Sequence, residues 1–232
     1  TSIAPSIAKL FNISINLARF PNSWKISSIV PIPKSKKQTN DVTNYRPISL
    51  LSVVSKLLER HLHLILVEHL NENRPLSNNQ WGFQRNKSTT TALLYILDQW
   101  FRLLEGGNEV GAVFFDLRKA FDTVSHRPLL DKLHSFSIDP NLICWISSYL
   151  TDRQQHVVCD GALSSNIHVL SGVPQGSVLG PLLFLIYIDD VTSINLSSEN
   201  SLINLFADDM LLFRPLNSAP DLHCLQDDVQ AI

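Results

Sequence analysis

Cysteine is scarce in this sequence. Its 232 residues include three cysteines, Cys144, Cys159 and Cys224, which is an odd number at wide spacings and without a Cys-x-x-Cys pair. This pattern predicts neither a disulfide framework nor a zinc site, and it favours a reducing compartment.

Long apolar runs are also missing. The apolar run at 182–188 is far shorter than the roughly eighteen residues that cross a bilayer, so no membrane partner is expected. The chain begins with Thr1 rather than Met, and 44% of its residues are hydrophobic. We expect a soluble fragment of a longer polyprotein, with one large domain or two interleaved ones.

A strong overall charge is absent as well. The formal net charge is -2, but residues 1–60 carry nine Lys and Arg against two acidic residues, while the remainder carries ten basic and nineteen acidic residues. The chain therefore has a basic front that attracts phosphate and a carboxylate-rich back. From this feature alone, the favoured explanation is that the unequal charges merely solvate two different surfaces of the protein.

Apolar periodicity predicts alternating helices and strands. Helical spacing favours helices at 3–20, 52–70, 88–104, 127–136, 141–150 and 178–188, with a last helix starting near 221. Strands are predicted at 24–33 and 110–115. Segments 155–159 and 166–170 flank Asp160-Gly161 and are expected to form a hairpin, whose loop has two residues or more. Prolines place strand 24–33 at a sheet edge, whereas 110–115 is typical of a buried strand.

Three aspartates lie where charge is costly. Asp116 ends the predicted buried strand, and Asp208 and Asp209 separate the apolar runs 202–206 and 210–213 of a tight hairpin. Carboxylates held against a core need a cation, and oxygen ligands without His or Cys suit Mg²⁺ or Mn²⁺. Phosphoryl transfer commonly uses two such ions about 3.5 to 4 Å apart. Each aspartate taken singly is more often an ordinary turn or cap residue.

Five distinctive segments are spread along nearly the whole chain. Three lie in its second half: VFFDLRKAFD (113–122), SGVPQGSVLGP (171–181) and LFADDML (205–211). Two precede them, NYRPISLL (44–51) and QWGFQRNKSTT (80–90). The first three resemble the catalytic motifs of reverse transcriptases. The last two resemble the fingers of the enzymes from non-LTR (LINE-type) retrotransposons. A lone ADD would carry little weight, but the set is specific.

The resemblance implies a fold and an activity. The fold would be α+β, with the fingers and palm of a right-hand polymerase, an antiparallel palm sheet packed on helices, and no thumb. Residues 1–107 would form the fingers, and 108–232 the palm with a fingers-like insertion around 139–170. The activity would be RNA-directed DNA synthesis from an RNA template, a DNA primer and deoxynucleoside triphosphates, with two Mg²⁺ ions or with Mn²⁺ in their place. It would serve target-primed reverse transcription inside the cell, in the nucleus and cytoplasm.

The resemblance also assigns catalytic residues. Asp116 and Asp208 match the aspartates that ligate both metals, and Asp209 matches the aspartate near the primer terminus. The carbonyl of Leu117 would complete the metal site on the nucleotide side. No positioned general base is needed if a metal lowers the pKa of the primer 3′-hydroxyl.

A second group of matches concerns the incoming nucleotide. Phe121 matches the position whose ring excludes a ribose 2′-hydroxyl, although packing of the turn is a compatible role. Gln175 and Gly176 match the motif that touches the nucleotide. Lys34 and Arg46 match fingers positions that hold the triphosphate, Arg46 with bidentate geometry and Lys34 as a point charge.

Other basic residues are less distinctive. Lys36 and Lys37 lie in the same basic loop as Lys34 and compete for its role. Arg85 and Lys87 precede a predicted helix and are candidates for binding template phosphates. Solvation at the surface explains both of them at least as well.

A second Asp-Asp pair could be mistaken for the catalytic one. YIDD at 187–190 resembles the retroviral catalytic box, but Asp189 and Asp190 end a helical stretch and precede a polar segment. Asp208 and Asp209 have apolar strands on both sides and are the predicted pair.

Two alternative functions remain open. One is a palm polymerase that synthesises RNA. The other is a non-catalytic palm that binds RNA, or a decayed copy of the element.

Overall fold

A computed structural model describes residues 3–35, 41–198 and 200–232, which divide into two units. Unit 1 comprises residues 1–75 and 121–186, and unit 2 comprises residues 76–120 and 187–232. The bounds of these two units do not coincide with the predicted division into fingers (1–107) and palm (108–232), which stays a prediction. Lys36 and Lys37 lie outside the described residues.

The predicted helices and strands are confirmed, with shifts at their ends, whereas the strands at 45–50 and 162–163 and the helix at 120–123 were not predicted. The turn at Asp160-Gly161 pairs 158–159 with 162–163, and the predicted partner segment pairs instead, through 167–169, with 153–155. The helices are α1 (Ala4–Asn16), α2 (Val53–Asn73), α3 (Thr89–Glu105), α4 (Ala120–Thr123), α5 (His126–Ser135), α6 (Pro140–Leu150), α7 (Leu179–Ile188) and α8 (Ala219–Ala231). The strands are β1 (Ile26–Pro33), β2 (Tyr45–Leu50), β3 (Glu109–Asp116), β4 (Arg153–Cys159), β5 (Ala162–Leu163), β6 (Ile167–Val169), β7 (Leu202–Phe206) and β8 (Asp209–Leu216). No helix in the described ranges is both long and apolar enough to cross a membrane.

The sheet of unit 1 has the strand order β2-β1-β4-β5, and β6 pairs with β4. The prediction that β1 lies at a sheet edge is wrong, because β1 pairs antiparallel with β2 and parallel with β4. Only residues 26–29 of β1 face β4, so Pro31 and Pro33 lie beyond that pairing and break no ladder there. Pro31 is opposite Pro47 of β2, which places two residues without an N–H side by side.

The helices of unit 1 bury regular apolar stripes. In α2, Leu58, Leu62 and Leu66 follow one another at four-residue spacing and are at most 2% exposed. Trp145 of α6 is fully buried, and its indole N–H donates to the hydroxyl of Ser14 in α1. These stripes form the helical part of the core of unit 1.

The sheet of unit 2 has the order β3-β8-β7, with all neighbours antiparallel. Residues 210–213 of β8 are buried, whereas β3 lies at the edge and alternates, with Phe114 73% exposed. The prediction of a buried strand at 110–115 is therefore wrong. Local apolarity does not distinguish a central strand from an edge strand that has one face uncovered.

Helix α8 is fastened to this sheet by a buried ion pair. Asp228 has no solvent exposure and lies 3.6 Å from Nη1 of Arg214 in β8. The carboxylate also accepts hydrogen bonds from the backbone of Ser197 and the hydroxyl of Ser201. Burial raises the pKa of Asp228, but these hydrogen bonds and Arg214 outweigh it and hold the pKa below its usual value.

Candidate active site

The sheet of unit 2 brings the three predicted catalytic aspartates to one end. Asp116, the last residue of β3, is directly opposite Asp209, the first residue of β8. Asp208 is the second residue of the two-residue turn, 207–208, that joins β7 to β8. Residues far apart in the chain thus become neighbours because β3 pairs with β8 in this register.

The surroundings of the three aspartates differ. Asp116 and Asp209 are exposed, and Asp208 is half-buried, so the prediction that all three are held against the core is wrong for two of them. Partial burial raises the pKa of Asp208, and the negative charges of Asp209 and Asp116 raise it further, against a backbone hydrogen bond that lowers it. This end of the sheet therefore concentrates negative charge that a cation would relieve.

The donor chemistry fits a hard divalent cation. The three carboxylates and the carbonyl of Leu117, the residue after β3, are all oxygen donors. Within the described ranges, however, no three His, Cys, Asp or Glu side chains form a ready-made metal-binding group. Mg²⁺ is usually held by one or two carboxylates together with water and substrate phosphates, so this arrangement still suits it.

In unit 1, the loop at 171–178 is tied to the segment that carries Phe121. The backbone N–H of Val173 donates to the carbonyl of Phe121 at 2.8 Å, and that of Gly172 donates to Val124 at 2.8 Å. Gly172 has φ +89°, and a Cβ there would lie 2.7 Å from the carbonyl oxygen of Asp122. Only glycine allows so close an approach in this conformation.

Gln175 is fixed at both its side chain and its backbone. The amide Nε2 donates to Oδ1 of Asp122 at 2.9 Å, and the carbonyl accepts from Ser49 of β2 at 2.9 Å. Gly176 has φ +98°, and a Cβ would lie 2.8 Å from the carbonyl of Ser49. The close approach made possible by Gly176 is therefore to β2 of the same unit.

The ring of Phe121 has a defined packing partner. It stacks on Phe184 of α7 with a centroid separation of 4.4 Å and an interplanar angle of 21°. This packing confirms the anchoring role that the sequence left open. It also gives the ring a fixed orientation, which a residue that excludes a 2′-hydroxyl requires.

The predicted triphosphate residues lie at the same end of the β1–β2 pair. Arg46 is opposite Ile32, and the ladder continues to the backbone N–H of Lys34, which donates to Asn44 at 2.8 Å. Side chains two residues apart share a face of a strand, so Lys34 lies on the same face as Ile32 and Arg46. Both cationic side chains are exposed, and their contact with phosphate stays a prediction.

The two predicted template residues differ in their environment. Arg85 is exposed. Lys87 is half-buried, and its Nζ donates to the carbonyls of Asn78 at 2.8 Å and Gln80 at 2.7 Å. Burial lowers the pKa of Lys87. Lys87 thus has a structural role in closing its own turn, and template binding by either residue stays a prediction.

The other Asp-Asp pair begins a short 3-10 helix, Asp189–Ser193, directly after α7. Oδ1 of Asp189 accepts the backbone N–H of Ser77 at 2.8 Å, and Asp190 is exposed. The sequence predicted a solvated helix terminus here, which is confirmed for the exposed Asp190 but is wrong for the half-buried Asp189. Asp189 supports the loop at 77 rather than the turn of a β-hairpin.

Sequence reasoning missed three supporting residues. Asp122 holds Gln175, Glu59 of α2 accepts backbone N–H groups at the start of α7, and Gln80 contacts the turn before Asp208. Glu59 and Gln80 are at most 1% exposed. A polar residue within a quoted motif was the available signal for Asp122 and Gln80, but only the fold shows which backbone groups they reach.

Comparison with known proteins identifies relatives over most of the chain. Residues 32–232 match the family described as "Reverse transcriptase (RNA-dependent DNA polymerase)". The chain is 33% identical over 207 residues to the RNA-directed DNA polymerase from mobile element jockey of Drosophila melanogaster, covering 88% of this chain and 22% of the relative. It is 31% identical over 223 residues to the Pol polyprotein from type-1 retrotransposable element R2 of Nasonia vitripennis, covering 91% and 21%. The chain therefore spans less than a quarter of the length of these relatives.

Solved structures of telomerase have a similar fold. The apo telomerase of Candida tropicalis, truncated from the C-terminal domain, aligns with a TM-score of 0.64 and 16% identity over 90% of this chain and 47% of that one. The Candida albicans telomerase, in complex with a fragment of telomeric RNA, gives a TM-score of 0.61 and 16% identity over 94% and 43%. The predicted α+β fingers-and-palm fold is confirmed.

Proposed function

Because the chain belongs to the reverse transcriptase family, we propose that it carries the catalytic core of an RNA-directed DNA polymerase from a non-LTR retrotransposon. The substrates are an RNA template, a DNA primer and deoxynucleoside triphosphates. One observation carries the proposal: Asp116 is in register with Asp209, and Asp208 lies in the adjoining turn. A sheet end that carries three carboxylates suits the binding of divalent ions for metal-assisted phosphoryl transfer.

The aspartates of unit 2 supply the metal ligands. Asp116 and Asp208 would hold the Mg²⁺ ions, Asp209 would lie near the primer end, and the Leu117 carbonyl would add a neutral oxygen. When bound, the ions would lower the pKa of the primer 3′-hydroxyl and stabilise the leaving pyrophosphate oxygen. The carboxylates need to be ionised to bind a cation. Burial and the neighbouring aspartates raise the pKa of Asp208 and so oppose its ionisation in the free chain, and a bound cation would offset this effect.

Residues of unit 1 select and hold the nucleotide. Arg46 and Lys34 present cationic groups to the triphosphate, and the guanidinium of Arg46 can bind two phosphate oxygens at once. Gln175, fixed by Asp122, contacts the incoming nucleotide together with the backbone at Gly176. The Phe121 ring, held by Phe184, excludes a ribose 2′-hydroxyl and so favours DNA over RNA synthesis.

Primer extension tests this function. The protein from the complete open reading frame that encodes these residues is given a radiolabelled DNA primer on an RNA template, deoxynucleotides and Mg²⁺. Asp208→Ala is expected to abolish extension, whereas Asp190→Ala, a matched change at the other Asp-Asp pair, keeps a substantial fraction. The opposite result for the two variants would overturn the assignment of the catalytic pair.

The cellular role follows from the kind of element. The protein would be synthesised in the cytoplasm and would act in the nucleus. There it would copy element RNA from a nicked chromosomal end, the process called target-primed reverse transcription. The naming of relatives after mobile and retrotransposable elements supports this proposal. A nicked-duplex substrate in the same assay tests it, since the copy should be joined covalently to the nicked strand.

A further inference from the structure

A buried glutamine holds the backbone of the turn that carries Asp208. The side chain of Gln80 is 1% exposed. Its Oε1 accepts the backbone N–H of Ala207 at 2.9 Å, and its Nε2 donates to the carbonyl of the same residue at 3.3 Å. One amide thus satisfies both backbone polar groups of the residue that immediately precedes Asp208.

We call these two hydrogen bonds from Gln80 to Ala207 the clamp. The segment that carries Gln80 is itself held by backbone hydrogen bonds. The N–H of Leu205 in β7 donates to Asn79 at 2.8 Å, and the N–H of Trp81 donates to Leu205 at 2.7 Å, so residues 79–81 run parallel to β7. Oε1 of Gln80 also accepts from Gly82 at 2.8 Å. A Cβ on Gly82 would lie 2.4 Å from the nitrogen of Ala207, so only glycine fits beside the turn.

Ala207 needs such a clamp because of its conformation. Its φ is +57°, a left-handed value that a residue with a Cβ adopts only when the surroundings impose it. Relaxation of Ala207 toward the right-handed region would redirect the next residue. The carboxylate of Asp208 would then leave the position it has beside the paired Asp116 and Asp209.

We propose that Gln80 is a positioning residue of the polymerase reaction, which acts through Ala207 to fix where Asp208 presents its oxygens to a divalent cation. The inference rests on the proposed function. It deepens that function by assigning the geometry of the metal site to an uncharged residue from a different segment. A misplacement of about 1 Å at a reacting centre can cost about a hundredfold in rate, so loss of the clamp should act on catalysis.

The test compares two substitutions of Gln80 with a matched glutamine in the same segment, in the protein from the complete open reading frame. Gln80→Leu removes both hydrogen bonds to Ala207. Gln80→Glu keeps an oxygen that accepts the backbone N–H of Ala207, but it removes the Nε2 donor to the carbonyl of Ala207. Gln84→Leu is the control, because the Gln84 amide donates to Ser77 at 3.5 Å, within its own loop. Extension kinetics are measured well below the melting temperature of each variant.

Two further readouts separate positioning from simple loss of structure. Mn²⁺ affinity is measured by electron paramagnetic resonance without substrates, and hydrogen exchange is followed in a peptide spanning residues 205–211. For Gln80→Leu we expect kcat to fall about 10- to 100-fold, deoxynucleotide KM to change less than about twofold, and Mn²⁺ affinity to fall about tenfold. Exchange at 205–211 should accelerate, and Gln80→Glu should lie between wild type and Gln80→Leu.

Several outcomes would overturn the inference. It fails if Gln80→Leu matches Gln84→Leu in kcat, or if kcat falls while Mn²⁺ affinity and exchange at 205–211 stay at wild-type values. Should Gln80→Leu not fold, the same criteria apply to Gln80→Glu. If the wild-type protein does not extend primers, the proposed function fails, while Mn²⁺ affinity and exchange still decide the role of Gln80.

Discussion

Glu59 is a carboxylate without solvent exposure, and its replacement gives a sharp test of how the nucleotide-binding loop is held. Its Oε2 accepts the backbone N–H groups of Val178 at 2.9 Å and Leu179 at 3.3 Å, at the start of α7. Its Oε1 accepts the hydroxyl of Ser55 at 2.7 Å. A side chain of α2 thereby caps a distant helix and fastens the end of the loop that carries Gln175.

The size of the effect follows from these contacts. A hydrogen bond to a charged acceptor contributes about 1.5–3 kcal/mol and a neutral one about 0.5–1.5 kcal/mol, so Glu59→Gln weakens each backbone bond by about 1 kcal/mol. The total is about 2 kcal/mol. Glu59→Leu leaves both buried N–H groups unpaired and should cost about 4 kcal/mol. Removing a buried charge saves some desolvation, but it also deprives the buried guanidinium of Arg153 of a compensating carboxylate.

Urea denaturation of the 232-residue chain measures the free energy of unfolding, followed by circular dichroism and tryptophan fluorescence. Glu68→Gln serves as the control, because Glu68 lies on the same helix and is exposed. It should change the free energy by less than about 0.5 kcal/mol. In the complete protein, Glu59→Gln should also raise the deoxynucleotide KM, since the loop of Gln175 is loosened.

A Glu59→Leu variant as stable as Glu68→Gln would refute this reasoning. Such a result would mean that water or a shifted side chain satisfies the N–H groups at the start of α7. A loss of stability without any rise in deoxynucleotide KM would retain the capping role and remove the link to nucleotide binding.

Other predictions address the remaining features. Asp208→Asn should abolish extension. In the metal-free protein it should raise the free energy of unfolding by about 0.5 kcal/mol, and with it the melting temperature, because it removes a partly buried charge beside two others. An unchanged or lower melting temperature would contradict this prediction. Phe121→Val should raise ribonucleotide incorporation relative to deoxynucleotide incorporation, measured by single-nucleotide extension, and an unchanged ratio would exclude the ring as the gate. Gly172→Ala should destabilise the chain by about 2 kcal/mol or more in urea, since its Cβ would strike Asp122 at a positive φ. Asp228, whose pKa is lowered in the folded chain, contributes stability above the usual aspartate pKa that is lost as the pH falls through the lowered value. Asp228→Asn should therefore reduce stability at neutral pH and flatten its decline in acid. An unchanged acid profile would show that the hydrogen bonds from Ser201 and Ser197 and the ion pair with Arg214 do not lower this pKa.

The local patterns predicted the elements well, for identifiable reasons. The hairpin at 202–216 has apolar runs on both sides of a short polar turn. Asp160-Gly161 adopts positive φ at both residues, as a type I′ turn requires. Ser88 forms a capping box with Thr91 at the start of α3. Each of these features depends on residues within a few positions of one another.

Burial and long-range contacts were predicted less well. The apolar run at 110–115 gave no sign that β3 would be an edge strand, and the prolines of β1 suggested an edge where the sheet has a central strand. Both errors have one physical cause. The neighbours of a strand are chosen by distant segments, whereas its own residues report only that it can join a sheet.

By itself, the sequence determined which chemistry the chain carries, because the motif residues and their order specify oxygen ligands, a glycine-rich loop and a tight turn with two aspartates. Only the tertiary structure decided that Asp116 is opposite Asp209, that Asp122 holds Gln175, and that Gln80 supports the turn before Asp208. These contacts join segments distant in the chain, and their register is set by the packing of whole strands and helices rather than by local preference.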